Sequence, residues 1–517
     1  MRLSVGITHL TPAWKILLEQ IAPPCEELNS TIDWSTENYG CIIVSSTVSV
    51  SVKEKLKRYL TDGGSLLLET EAAKQILGTN SEPAFVDYID TTNDSLFSSV
   101  ASGSVGRKLN LPSDATQLKE RHGRYLVERT VVGKGYVIIL PGGMIDSILS
   151  WGCTRRSFPS HGPLLPSERV AKVSKRTIRD IVNRSLQELF WRRDLPFVSL
   201  SSFPDGEDLL FSFRVDTDFA SPKEVETLYE LCKKHDVPAT WFVETDSCQE
   251  WVDQYGKMEG HEIGLHCFKH RIFNNYTKNE VDMRIGASIL RKNGITPRGY
   301  AAPFGEWNTT LAKALEHRGF EYSSEFALDY DNLPFYPFLG ERSSFVMQIP
   351  IHPISTGTLR NAHHSTEEMK DYFETIMEDH LADRLPLFIY DHPANPDHET
   401  LDWLFQTVKD RKIPTMTMGQ YADWWKIRTE THWSARLENG RLQLSSSNLG
   451  DSVKIEVFQS DGRHTIAAKN SNLELSKTAW RTTKAKTNRH PHISILHRLN
   501  RKMIFNDILH TYWKYKL

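Results

Sequence analysis

The 517 residues carry 62 Lys and Arg against 65 Asp and Glu, a formal charge of −3, with 39% hydrophobic content. That balance fits a soluble globular chain long enough for three domains and gives no ground for general nucleic-acid binding. No apolar run approaches the length of a membrane span, residues 1–7 lack the apolar core of a signal peptide, and the six cysteines show no CxxC spacing; a cytoplasmic protein with reduced thiols is expected.

In chain order, Cys41–Val44 reads as a buried strand and 52–60 as a helix ended by Gly63-Gly64, followed by the strand 65–69. Gly133-Lys134-Gly135 then turns into the apolar run 136–143, another buried parallel strand. Residues 1–165 resemble the class I glutamine amidotransferase-like fold, a flavodoxin-like α/β layer structure. The nucleophile elbow GxCxG of that fold is absent, since neither Cys41 nor Cys153 stands in such a turn, and a noncatalytic domain for substrate or partner binding is expected. Residues 166–200 are expected to link two domains. Val170, Val173, Ile178, Ile181, Val182, Leu186, Leu189 and Phe190 recur along one side of a single helix over 167–191, with basic residues on the other.

The segment 201–429 alternates strand and helix patterns. A strand over 209–215 precedes Ser221-Pro222-Lys223-Glu224, a capping box with proline at the first helical position. A strand over 240–243 follows. Ser365 and Glu368 open another helix before the strand 387–390, and Leu401, Leu404, Phe405 and Val408 precede a strand over 413–416. Such alternation predicts a (β/α) barrel, whose chemistry collects at the C-terminal ends of its strands.

Those ends hold the informative residues. Arg214-Val215-Asp216-Thr217-Asp218 ends one strand, and Gly260-His261-Glu262-Ile263-Gly264-Leu265-His266-Cys267-Phe268-Lys269-His270 follows some fifty residues later. Two histidines four residues apart with a carboxylate make an N,N,O metal site with open positions. Two carboxylates at i and i+2 share a strand face, so one can bind the metal while the other takes a proton from water. Taken alone, HxxxH and DxD are weak signals.

Their order is not. With Tyr300-Ala301-Ala302-Pro303-Phe304-Gly305, Tyr322-Ser323-Ser324-Glu325-Phe326 and Leu387-Phe388-Ile389-Tyr390-Asp391-His392-Pro393, the set resembles the polysaccharide deacetylase family, the NodB homology domain or carbohydrate esterase family 4, over roughly 205–425. The resemblance implies a distorted barrel of the NodB type. It implies that Asp218, His266 and His270 bind a divalent metal, zinc first and nickel, cobalt or iron next, that Asp216 is the general base, and that His392 is the general acid. It also implies that the backbone N–H of Phe304 helps to hold the oxyanion.

Three departures qualify the match. Ala301-Ala302-Pro303-Phe304 stands where most members have an arginine that orients the base, and Arg214, two residues before Asp216, is expected to take that role. Cys267 replaces a hydroxyl residue and is expected only to pack. The family's aspartate-aromatic pair of the fourth motif is not placed, with Asp329 and Asp331 nearby. His352, His363, His364, Trp307 and Tyr336 are read as packing or groove residues without an assigned role, His261 as structural, and Asp391 as orienting its neighbour or capping a turn.

Beyond 429 the pattern alternates, with hairpin signals at Asn439-Gly440 and Asp461-Gly462, so 430–517 is expected to be a small β unit ending in a basic helix. From 480 onward nine Lys and Arg face one acidic residue, Asp507, and 490–517 is amphipathic enough to rest on an anionic membrane surface or to dock on the protein. The combined expectation is a metal-dependent hydrolase that removes an N-acyl group, acetyl first, from an amino sugar in glycan or glycolipid synthesis. The third motif is similar to the branch that deformylates a lipid-linked amino sugar, so a polyprenyl-linked substrate is one alternative. A catalytically silent glycan-binding scaffold is the other.

Overall fold

A computed structural model describes residues 1–29, 33–92, 94–447 and 450–482 and the single position 508. The expected basic helix over 490–517 lies outside the described residues, position 508 apart. The chain divides into two compact units that interleave in sequence: Met1–Ser150 with Val173–Glu207 and the stretch from Trp424, and Trp151–Lys172 with Asp208–Asp423. The expected boundaries fall at 165, 200 and 429, whereas the two units meet along the chain after 150, 172, 207 and 423.

The first unit is built on a nine-stranded sheet. Five parallel strands run in the order Cys25–Glu27, Val5–Ile7, Cys41–Val44, Ser65–Glu69 and Gly135–Leu140. Four antiparallel strands, Tyr125–Val132, Gln117–Glu120, Ser81–Asp90 and Gly103–Pro112, extend it in a way the sequence reading did not foresee. Lys175–Trp191 is the linking helix, and it packs within this unit: a Cβ on Gly40 would stand 2.3 Å from the Phe190 ring. The helix does not begin at 167. Ser167–Ala171 is a strand paired with Cys153–Ser157, which puts Val170 in a hairpin of the second unit.

The described residues after 429 pair with strands of the first unit. Ile455–Phe458 pairs with Phe197–Leu200 in a four-stranded sheet, and the Trp433–Glu438 and Arg441–Ser446 hairpin joins the first unit through an Arg2 to Arg436 bridge. Arg428, buried, fastens this unit by donating to the carbonyl oxygens of Glu19, Gln20, Leu200 and Ser201.

The second unit holds seven parallel strands in the order Met347–Gln348, Tyr322–Ser323, Gly299–Tyr300, Glu262–Cys267, Ala239–Glu244, Phe211–Asp216 and Leu387–Asp391. The sheet is curled, and its ladder is open between the first and last of these strands. Both expected capping boxes form, Ser221 with Glu224 and Ser365 with Glu368, each joining side chain and backbone reciprocally. The expected strand over 413–416 is reduced to one bridge, Phe211 to Thr415, because Pro414 has no N–H with which to extend a ladder. Among the described residues no helix is long and apolar enough to cross a membrane.

Candidate active site

The C-terminal ends of three strands converge. Phe211–Asp216 ends at Asp216 and leads to Asp218, Glu262–Cys267 delivers His266 and leads to His270, and Leu387–Asp391 leads to His392. His266 Nε2 and His270 Nε2 each lie 3.2 Å from Asp218 Oδ1, and His392 Nε2 lies 3.5 Å from Asp218 Oδ2. All five of Asp216, Asp218, His266, His270 and His392 line one cavity of about 230 Å³. Phe304 stands at its rim, 45% exposed, with its ring 4.5 Å from that of His270. Its φ of +60° and the +58° of Gly305 make a tight left-handed turn there, costly for a phenylalanine.

The donor set fits a cation. His266 is 1% exposed, yet neither ring nitrogen makes a hydrogen bond, and Asp218 Oδ1 is also buried without one. Unpaired polar atoms in such a place cost free energy that a bound cation would return. The 3.2 Å spacings match the edge of a tetrahedron, about 3.3 Å, around a metal with bonds of about 2.0–2.1 Å. Burial pushes the Asp218 carboxyl up, but the three surrounding histidines outweigh it and hold it well below the usual carboxylate range.

Arg214 is wholly buried and grips Asp216 in a bidentate pair, while its Nη1 donates to the Ser324 carbonyl at 2.6 Å and to Ser324 Oγ at 3.1 Å. The guanidinium lies between the rings of Phe242 and Tyr390, 5.4 and 5.6 Å from their centroids. Burial raises the Asp216 carboxyl, and the Arg214 charge beside it more than compensates, so Asp216 sits below its ordinary range. Asp391 Oδ1 accepts the His392 N–H at 2.8 Å and a hydrogen bond from Asn395, and Oδ2 accepts the Thr356 N–H; it caps the turn that carries His392.

Several contributors escaped the sequence reading. Glu168 reaches the cavity wall from the hairpin of Cys153–Ser157 and Ser167–Ala171, which the Arg169 to Glu306 ion pair at 2.9 Å and the Ala171 N–H to Phe326 carbonyl bond hold in place. Asp282 accepts the N–H groups of Phe268 and Lys269 and so fixes the loop between the two histidines. Glu325, buried behind Arg214, is pushed up to about 7 by burial. Glu325 stands in the fourth motif quoted above, where the sequence reading assigns it no role.

Other readings fall away from the cavity. His261 Nδ1 accepts from the Ala239 N–H and from Trp241 Nε1, a structural role. Trp307 is buried against Trp151, and neither it nor Tyr336, His352, His363 or His364 lines the cavity. Cys267 is a buried free thiol; all six cysteines are free.

Residues 211–323 match the family model described as polysaccharide deacetylase. The matched stretch lies within the second unit. The chain is 31% identical over 128 residues to a peptidoglycan deacetylase of Helicobacter pylori, covering 24% of this chain and 43% of the relative. It is 25% identical over 108 residues to a chitooligosaccharide deacetylase of Azorhizobium caulinodans, covering 20% of this chain and 51% of the relative. The chain thus spans about half the length of the curated relatives it matches. Among solved structures, a family 4 carbohydrate esterase from Streptomyces lividans in complex with acetate aligns over 40% of this chain and 91% of its own, at 13% identity and a TM-score of 0.28.

Proposed function

We propose that the second unit is a metal-dependent amidohydrolase that removes the N-acetyl group of an amino sugar within a glycan. The observation that carries this reading is the convergence of Asp216, Asp218, His266, His270 and His392 on one cavity. A binding scaffold has no need of both a proton acceptor and a proton donor beside a cation site, and a bidentate arginine holding the acceptor ionised is an added cost without catalysis.

Asp218, His266 and His270 would hold the divalent ion, zinc first by donor chemistry, with nickel, cobalt or iron compatible. When bound, such an ion makes water a stronger acid and polarises the acyl carbonyl. Asp216, kept ionised by Arg214, takes the proton of the attacking water. The Phe304 N–H donates to the oxygen on which negative charge develops. His392, oriented by Asp391, gives its proton to the departing nitrogen as the C–N bond breaks, leaving acetate and a free amine.

The glycan class rests on the matched motifs. A formyl group on a lipid-linked sugar is the second acyl reading, drawn from Ala301-Ala302, and membrane contact through 490–517 belongs to it. For the first unit we infer a noncatalytic role, supported by Cys41, which lies buried within a strand, and by Cys153, which lies in a hairpin.

The test is metal analysis of the wild type and His266→Ala, with acetate and formate release measured on N-acetyl and N-formyl hexosamine oligomers. Acetate release that His266→Ala abolishes supports the reading. Formate release alone selects the second acyl group, and a metal-replete protein that releases neither acid from any glycan overturns hydrolysis.

A further inference from the structure

The second unit holds another Asp/His/His set, Asp331, His352 and His380, that the hydrolysis above does not use; among the described residues these two sets converge closely enough to hold a metal. His352 Nδ1 lies 3.0 and 3.2 Å from the two Asp331 carboxylate oxygens, and His380 Nε2 lies 3.3 Å from Oδ1. These spacings again match the edge, about 3.3 Å, of a tetrahedral site with bonds of about 2.0–2.1 Å. The outer nitrogens are engaged as those of ligand imidazoles are: His380 Nδ1 faces the Pro386 carbonyl at 2.8 Å, and His352 Nε2 faces the Tyr372 hydroxyl at 3.0 Å.

Counting protons sharpens the point. Only an N–H at His380 Nδ1 can bond a carbonyl oxygen, so a neutral His380 turns the lone pair of Nε2 toward a carboxylate oxygen. A positive centre must lie between them, either a proton that makes an imidazolium or a metal ion. Both imidazoles are buried, at 0% and 2% exposure, and Asp331 adopts φ +46°, a conformation that a non-glycine residue keeps only when its surroundings impose it.

The topology says what a cation would do here. Asp331 follows the strand Tyr322–Ser323, His352 follows Met347–Gln348, and His380 lies on the helix Thr366–Asp383 that leads into Leu387–Asp391. The ladder is open between Met347–Gln348 and Leu387–Asp391, and the His352 N–H bond to the Phe388 carbonyl, 2.8 Å, crosses that gap. The three residues therefore straddle the seam beside the strand that leads to His392.

We propose that Asp331, His352 and His380 form a second, structural divalent-metal site that staples the open seam of the sheet and fixes the strand Leu387–Asp391. Two imidazole nitrogens and one carboxylate oxygen supply three donors, a set that suits zinc.

Zinc content of the full chain, loaded with excess zinc and desalted, tests this in the wild type, His266→Ala, His380→Gln and the double variant. Two ions per chain are expected in the wild type, one in each single variant and none in the double variant. One ion in the wild type, lost in His266→Ala and kept in His380→Gln, overturns the proposal and leaves the triad a buried imidazolium ion pair. One ion kept in His266→Ala and lost in His380→Gln upholds it while removing the first site. Should His380→Gln fail to fold, cobalt(II) loaded into His266→Ala decides: visible absorption of a tetrahedral site supports the proposal, and its absence overturns it.

Discussion

Arg214 holds Asp216 from two residues away on the same strand, its Nε and Nη2 donating to the two carboxylate oxygens at 2.7 and 2.6 Å. Positions i and i+2 share a strand face, so the extended backbone sets the two side chains beside each other. Where the family that this stretch resembles brings an arginine from the third motif, this chain has Ala301-Ala302, both buried. Replacing Arg214 by Ala leaves a buried carboxylate unpaired and is expected to cost about 3–5 kcal/mol of stability, read by chemical denaturation. Because Arg214 lowers the Asp216 pKa, its loss raises that pKa, and the acid limb of the kcat/KM profile is expected to move up by about 1–3 pH units. An unmoved limb would refute the orienting role.

Asp282 ties the loop between His266 and His270 to the helix Tyr276–Lys292. Asp282→Ala frees two backbone N–H groups and loosens both imidazoles. We expect metal affinity to fall by about 10- to 100-fold, measured by competition with a chromophoric chelator, with a stability loss of about 1–3 kcal/mol.

Glu325 gives a signature in pH. Burial raises its carboxyl from the ordinary 4.5 to about 7, so between those values the folded protein binds a proton that the unfolded chain has released. Stability therefore falls as pH rises through that window, by up to about 3 kcal/mol. Glu325→Gln keeps one acceptor oxygen for the Ala302 N–H, turns its amide NH2 toward Ser323 Oγ, which can accept, and removes the titration. Its stability curve is expected to be flatter than that of the wild type between pH 4.5 and 7, as urea titrations at a series of pH values would report.

In the first unit Arg428 donates to four backbone carbonyl groups. Truncation to Ala leaves them buried without partners, with an expected cost of about 3–5 kcal/mol. Differential scanning calorimetry of Arg428→Ala checks this. A transition unchanged from that of the wild type would show that water replaces the guanidinium.

How much of this was legible in the sequence follows from the range of each interaction. Asp216, Asp218, His266, His270 and His392 sit at or just beyond strand ends set by local patterns, and the cavity gathers all five. Glu168 was hidden because Val170 and Val173 fit a helical spacing, whereas Ser167–Ala171 is a strand through its ladder with Cys153–Ser157. Periodicity cannot report a partner. The same holds for Ile455–Phe458, which read as part of a separate unit until its pairing with Phe197–Leu200 placed it in the first. The antiparallel strands between 81 and 132 likewise owe their place to neighbours in the sheet.

Phe211–Asp216 takes Leu387–Asp391 as its neighbour, Phe211 opposite Leu387 and Val215 opposite Asp391. Asp216 and His392, the proposed proton acceptor and donor, are thus brought together by a pairing between the two sequence extremes of the sheet. A fragment cut to the matched stretch 211–323 would retain Asp216, Asp218, His266 and His270 but expose a bare edge where Leu387–Asp391 belongs, and would lack His392 altogether. Such an edge invites pairing with other chains. Minimal versions of this unit that stop short of Asp391 should therefore aggregate before they can be assayed.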